Sequence, residues 1–314
     1  MFLCRRWLRR PLRRRGRDCV RYGGVAVSTL RIALPNKGRL NGSAVKLMNR
    51  IGFPVPDSNS RTLLAEFGKG RYQVLMARAQ DIPEFVEMGA ADIGITGLDL
   101  VLETKRDVER LMDLDFGRCR LVVAVPEESG VRDAADVPDG CVVATSFPNL
   151  TKDFFQGLGK RVSPAEVSGA TEVAPRIGLA DVIVDLTETG STMKMNRLRE
   201  VGVVLESVAV LIANPRAVKE KRLTIEEVTS AFASVMNASR KRYIMANVPK
   251  DKLPTLNTLV PGVSGPTVMN IMGRDDLAAI HAVTNEDEVN GVIAMLKSIG
   301  ATGILVMPID RMVL

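Results

Sequence analysis

The chain has 314 residues, 46% apolar and 25% charged, which suits two or three globular domains. No run approaches the ~18 uncharged apolar residues of a membrane-spanning helix. The formal charge of +7 is misleading, because nine Arg and one Asp lie in residues 1–29. The rest of the chain is close to neutral, so the overall charge says nothing about nucleic acid, and neither nucleic acid nor membrane is expected as a partner.

Residues 1–28 lack an apolar stretch long enough for a secretory signal. They are expected to form a disordered Arg-rich tail outside the chemistry. A transit peptide, a polyanion-binding arm and an over-extended start, with Val25 or Val27 as the natural beginning, stay open. The four Cys show no metal-ligand spacing. Cys119 and Cys141 sit in apolar runs and read as buried, reduced thiols of a cytoplasmic protein.

LRIAL (30–34) is a buried-strand run. Over 39–51, Leu40, Ala44, Leu47, Met48 and Ile51 share one helical face. RTLLAEF and YQVLMA, joined by GKGR, read as a hairpin. Asp81 and Glu84 have the spacing of a capping box. ADIGIT is a strand, and Gly97 opens the next helix. CRLVVAVP, CVVATS and DVIVD are further strands, with helices expected at about 149–158 and 170–179. This rhythm predicts parallel sheets covered by helices. After Pro215 a helix over about 217–240 leads into shorter strands and a helix at 285–299. That helix is expected to be capped by Thr284 and Asp287 and stopped at Gly300. The section reads as a separate two-layer α+β domain.

In DVIVDLTETGSTM (181–193), Asp185 stands at a strand end, where open α/β sheets place ligands. Glu188 and the small residues Thr189, Gly190, Ser191 and Thr192 follow. Their N–H groups and hydroxyls can converge on an anion. Two carboxylates would repel a bare phosphate. They suit a ligand that also carries hydroxyls or a divalent cation, and a ribose 5-phosphate has both ends. The alternative is a plain helix N-cap with solvated acids. Lys37, Gly38 and Arg39 occupy another strand-to-helix turn, and Arg61 and Arg78 flank strands. Each alone reads as a solvated charge, and converging they would suit a diphosphate. His281, the single histidine, lies in an apolar run and reads as structural. Dinucleotide-binding and P-loop motifs are missing.

Together LRIALPNKGRL, ARAQDIPEFVEMGAADIGITGLDLV, LDFGRCRLVVAVP, VATSFPNLTKDFF and ATEVAPRIGLADVIVDLTETGSTMKMNRLREV resemble the ATP phosphoribosyltransferase family, which opens histidine biosynthesis. PGVSGPTV and LKSIGATGILVMPIDRM resemble the regulatory domain of its long form. The resemblance covers about residues 30–314. It implies an α/β fold with a two-lobed catalytic core like type II periplasmic binding proteins, plus a C-terminal ferredoxin-like α+β domain. Lobe 1 would take 29–117 plus 205–216, lobe 2 118–204, and the regulatory domain 217–314.

The resemblance also implies roles. Asp185 and Glu188 would take the ribose hydroxyls of 5-phosphoribosyl 1-diphosphate (PRPP), directly or through Mg²⁺. Thr189, Gly190, Ser191 and Thr192 would hold its 5′-phosphate. Arg39 and Arg61 would meet the pyrophosphate as catalytic residues. Lys37, Gly38, Arg78 and Glu172 would contact ATP or phosphate. N1 of ATP attacks the anomeric carbon, so no strong general base is needed. Free histidine would inhibit from a pocket of Asn247, Val263, Gly265, Thr267 and Gly303. Some relatives carry aspartate where Asn247 stands, and an amide there offers the ligand ammonium only a neutral acceptor. The implied assembly is a homo-oligomer, dimer and hexamer. Two other readings compete. One is a binding protein of the periplasmic type, since fold does not fix function. The other is nucleic-acid binding through the tail.

Overall fold

The computed structural model describes residues 19–22, 25–55, 63–256 and 265–314. Arg61, Val263 and most of the tail lie outside the described residues. Within the stretch expected to be disordered, Cys19–Tyr22 and Val25–Ser28 pair as an antiparallel ribbon.

The first lobe is a six-stranded sheet. Its spatial order is Leu64–Phe67, Tyr72–Ala77, Leu30–Pro35, Ile93–Gly97, Ala209–Ala213, Glu109–Asp113. Leu30–Pro35 is parallel to both of its neighbours. Leu30, Ile32, Ala33 and Leu34 are fully buried, as a strand covered on both faces requires. Helices Asn41–Arg50 and Arg222–Ala238 cover one face through Ala44, Met48, Val228 and Phe232. Helix Ile82–Glu87 covers the other through Ile82 and Val86.

The second lobe is a five-stranded sheet in the order Ser163–Glu166, Val142–Thr145, Val182–Thr187, Cys119–Pro126, Leu198–Ser207. Helix Pro148–Gly157 packs Phe155 into one of its faces. The chain crosses between the lobes twice, after Asp113 and after Ser207. This is the two-lobed arrangement that the resemblance implies. The C-terminal sheet runs Thr267–Ile271, Arg274–Asn285, Lys241–Pro249, Thr302–Pro308, all antiparallel. In chain order its strands lie 2-3-1-4, the ferredoxin-like arrangement. Helix Val289–Ser298 closes its inner face through Val292 and Leu296.

Several local expectations differ from the structure. Helix Arg222–Ala238, expected to open the C-terminal domain, instead packs into the first lobe's core. It is separated from helix Pro215–Glu220 at Lys221, whose ammonium bonds the Thr29 carbonyl and buried Asp92. The helix expected at 170–179 is two 3₁₀ turns, Thr171–Val173 and Pro175–Ile177. Pro175 has no N–H to continue an α-helical ladder. Asp81 makes no side-chain cap bond. A preceding 3₁₀ turn holds it in helical conformation, whereas a capping residue needs extended backbone. The Thr284–Asp287 cap is likewise missing, since the helix begins after Glu288 without a side-chain cap. Gly300 does follow the helix with left-handed backbone, φ +86°.

Candidate active site

In each lobe the loops at the carboxyl ends of the parallel strands gather the polar residues, as open α/β sheets predispose. Strand Val182–Thr187 runs two residues past Asp185. Asp185 thus sits within the strand, opposite Val122, and is half-buried. It accepts a 2.8 Å bond from the N–H of Leu186 and a further bond from Thr171. Burial pushes its carboxyl above the ordinary aspartate range, and the negative charge of Glu172 adds to the rise. The Leu186 and Thr171 bonds oppose it. Thr171, Glu172 and Asp185 therefore form one acidic wall.

The loop beyond the strand is built on Thr187, whose hydroxyl accepts from the N–H of Gly190 at 2.8 Å. Gly190 turns with φ +76°, a left-handed conformation that glycine adopts without cost. Glu188, Thr189, Ser191 and Thr192 are exposed beside it, and Thr189 and Ser191 share a 3.0 Å hydroxyl contact. Among the described residues the N–H groups of Thr189, Ser191 and Thr192 find no acceptor. Helix Ser191–Met195 has only five residues. The anion-binding capacity of this turn therefore lies in its free N–H groups and hydroxyls rather than in a helix dipole.

In the first lobe, Lys37 and Gly38 follow strand Leu30–Pro35 and Arg78 follows strand Tyr72–Ala77, all exposed. Lys37 and Arg78 have no ion-pair partner among the described residues. Beside them the side-chain oxygen of Asn36 is buried without a partner. Arg39 differs. Its guanidinium donates to the Gly117 carbonyl at 2.6 Å and to both carboxylate oxygens of Asp99 at 3.1 and 3.2 Å. Asp99, buried, also accepts a 2.6 Å bond from the Ser207 hydroxyl. Arg39 thus joins the first lobe to both interlobe crossings, and its side chain keeps 24% exposure.

Cys119 lies just past the first crossing, opposite Ser207 of the second. Burial raises its thiol above the usual range, and the surrounding charges that act on it are Arg39, Asp99 and Glu188. The turn after Leu30–Pro35 reaches the first crossing through the Arg39–Gly117 bond, and the strand Val182–Thr187 ends opposite Arg120, three residues further on, so both turns border that crossing. Asp99, Ser207 and Asn36 were not singled out from the sequence. Asp99 and Ser207 look there like ordinary polar residues at element ends, and the orphaned amide needs coordinates to be seen. Cys119 and Cys141 are buried and free, as expected.

The described residues assigned to a histidine pocket lie on different strands of the C-terminal sheet and its loops. Asn247 neighbours Gly303, whose Cβ, if present, would lie 3.2 Å from the Asn247 amide nitrogen. Thr267 lies on the edge strand, opposite His281, with the whole strand Arg274–Asn285 between it and Asn247. Two strand spacings amount to about 9–10 Å. Gly265 lies two residues before Thr267. His281 bonds the Tyr243 hydroxyl through Nδ1 and buries Nε2 without a partner.

Free N–H groups, hydroxyls and carboxylates in the second lobe, with exposed cations in the first, belong to an α/β protein and have the chemistry to hold a polyanionic, hydroxyl-bearing ligand. Comparison with known proteins narrows this. Residues 78–234 match the ATP phosphoribosyltransferase family model and residues 238–311 match that of the HisG C-terminal domain. An ATP phosphoribosyltransferase of Natronomonas pharaonis is 49% identical over 284 residues, 90% of this chain and all of that one. One of Methanopyrus kandleri is 48% identical over 90% of this chain and 99% of its own. A solved chain from the "ATP phosphoribosyl transferase (HisG:HisZ) complex from Thermotoga maritima" is 29% identical. It superposes with a TM-score of 0.58 over 65% of this chain and 97% of that one. The chain belongs to the ATP phosphoribosyltransferase family, in its long form with the C-terminal domain, and is thereby a pentosyltransferase of histidine biosynthesis. Among the described residues no helix is long and apolar enough to cross a membrane.

Proposed function

We propose that the protein transfers the phosphoribosyl group of PRPP to N1 of ATP, releasing pyrophosphate, as the first step of histidine biosynthesis in the cytoplasm. What supports this is the Asp185–Thr192 loop, whose exposed hydroxyls and N–H groups, unpaired among the described residues, lie beside two carboxylates, on a strand that ends at the same crossing the Arg39 guanidinium reaches. Asp185 and Glu188 accept from the ribose hydroxyls. Thr189, Gly190, Ser191 and Thr192 receive the 5′-phosphate. Arg39, with Arg61, meets the departing diphosphate, and Lys37, Gly38, Arg78 and Glu172 contact ATP or phosphate.

The adenine nitrogen is already nucleophilic, so the barrier lies in charge separation as the C1–O bond loosens. Catalysis then rests on positioning and on groups fixed in advance where charge develops. An Arg39 already anchored by Asp99 needs no reorganisation to serve there. Mg²⁺ would be held by Asp185, Glu188 and the substrate's own phosphate oxygens, and supplies neutralisation of the leaving group. The donor set fits an ion carried in with the substrate. Two carboxylates are available, and no cluster of three metal-ligating side chains occurs among the described residues.

The C-terminal domain binds histidine as feedback inhibitor. The separation of Thr267 from Asn247 favours a pocket completed by a second copy, and exposed Met269, Leu305 and Met307 favour a homo-oligomer, dimer or hexamer. The deciding experiment mixes the purified protein with ATP, PRPP and Mg²⁺ and follows pyrophosphate. Release that requires both substrates supports the reading, and none with either order of addition ends it.

A further inference from the structure

Helix Leu98–Thr104 is short, and the residues it buries fully are not apolar. They are Asp99 and Glu103, 1% and 8% exposed, one helical turn apart on one face. Burying a carboxylate is costly unless it is paired or hydrogen-bonded, so each must have partners.

Asp99 takes Arg39 and Ser207, as described above. The fit is tight, since a Cβ on residue 97 would lie 2.2 Å from Asp99 Oδ1, and only glycine leaves that space. Glu103 reaches into the other lobe. Its carboxylate accepts the N–H groups of Asn149 and Leu150, both at 2.9 Å. The Asn149 amide donates back to the Glu103 carbonyl at 2.9 Å.

Those N–H groups belong to the first turn of helix Pro148–Gly157, whose own N-cap position holds Phe147 and makes no side-chain cap bond. Helix starts leave their first N–H groups unsatisfied, and an anion there is favoured by the dipole of a helix ten residues long. Pro148 has no N–H, so Glu103 satisfies the next two donors. The second lobe's helix is thus capped by a residue of the first lobe. Desolvation raises the Glu103 carboxyl, and the two N–H bonds oppose that rise. The apolar residues of the same helix divide likewise. Leu98 and Val101 pack against the first lobe's core and Leu100 against the second's.

We propose that helix Leu98–Thr104 is the fulcrum of the two lobes and that Glu103 is a positioning residue for the transfer reaction, setting the distance between the PRPP loop and the cationic wall. Each wall holds its own ligand groups without it, but productive approach of N1 to the anomeric carbon needs both walls at one spacing. This rests on the phosphoribosyl-transfer reading.

The test compares wild type, Glu103→Gln, Asn149→Ala from the opposite side of the contact, and Asp153→Ala. The last removes the exposed Lys105–Asp153 pair that bridges the same two lobes. Two readouts are needed. One is kcat and KM for each substrate. The other is the interlobe distance distribution between labels attached by non-cysteine chemistry at exposed Lys46 and Gln156.

Glu103→Gln should lower kcat by roughly ten- to a hundredfold with each KM changed less than about threefold, and should broaden the distance distribution. Asn149→Ala should do the same more weakly, and Asp153→Ala should do neither. Unchanged kcat in Glu103→Gln overturns the proposal. So does a loss that disappears on cooling with the distances unaltered, since that marks a merely structural role. Wild type without pyrophosphate release would refute the reaction, whereas the label distances test the fulcrum whatever the reaction.

Discussion

Replacing Asp185 by Asn separates what the carboxylate does for the ligand from what it costs the fold. The amide is isosteric and its oxygen can keep the bond from the Leu186 N–H. Only the charge and one acceptor position are lost. In the ligand-free protein that charge is disfavoured, because burial and Glu172 raise the carboxyl above its ordinary value of 3.8. A carboxyl raised in the folded state binds protons more readily than in the unfolded state. Its contribution therefore weakens stability as pH rises through the raised value and leaves a penalty near neutrality. Asp185→Asn should remove that penalty, so its Tm without ligand at neutral pH should equal or exceed that of wild type.

Activity should move the other way. A lost charge-assisted bond to the ribose diol, or to its cation, costs about 1.5–3 kcal/mol, or roughly ten- to a hundredfold in kcat/KM for PRPP. In wild type the acid limb of the kcat/KM profile for PRPP should lie above 3.8, and in the variant that limb should vanish. Thermal melts with and without PRPP and Mg²⁺, together with the pH profile, check all of this. Unchanged kcat/KM for PRPP, or a marked fall in ligand-free Tm, would refute the reasoning. The second result would make the carboxylate a structural bond to the Thr171 turn.

Arg39→Lys keeps the charge but loses the fork that spans Asp99 and Gly117. It should slow the chemical step about tenfold or more in single turnover while ATP affinity changes little, and a pure affinity loss would contradict the role. Gly190→Ala places a Cβ at φ +76°, 3.1 Å from Glu200 Oε1. It should cost about 1–2 kcal/mol of stability and raise KM for PRPP but not for ATP, seen by melting and steady-state kinetics. Thr267→Ala should raise the inhibitory concentration of histidine without lowering uninhibited activity. Calorimetry that detects no histidine binding to wild type would remove the regulatory reading alone.

What could be read from sequence was local and periodic. LRIAL announces a strand buried on both faces because it has no polar alternation. The GKGR turn announces its hairpin, whose strands pair from Leu64 with Leu75 to Phe67 with Tyr72. The loop TETGST lies at a strand end, and its small residues reveal it. What stayed hidden depends on partners distant in the chain. Arg39 looked like a free cation because Asp99 lies 60 residues away. Glu103 was not singled out, because its partners lie 46 and 47 residues away. Ser146 and Asn149 offered ordinary capping types at that helix start, and only the structure shows the N-cap position falling on Phe147. The supposed caps at Asp81 and Thr284 failed because spacing alone does not specify the extended backbone that a cap requires. The allegiance of the helix after Arg222 was hidden too, since its apolar stripe would fit either neighbouring sheet.

That allegiance sets where the protein could be divided. A chain ended at residue 216 would strip Ile225, Val228, Phe232 and Val235 from the first lobe and leave a sheet with its flank uncovered. One ended just past Ala238 would keep that wall. The severed contacts would then include a few polar ties from the last residues, such as the Met312 N–H to the Ser234 carbonyl and the paired reach of Arg50 and Arg311 to each other's stretch of backbone. In modular terms the helix is the last piece of the catalytic unit and also the tether of the regulatory one. Gain or loss of the C-terminal domain by recombination would leave a folded remainder only if the join falls on the tether's far side.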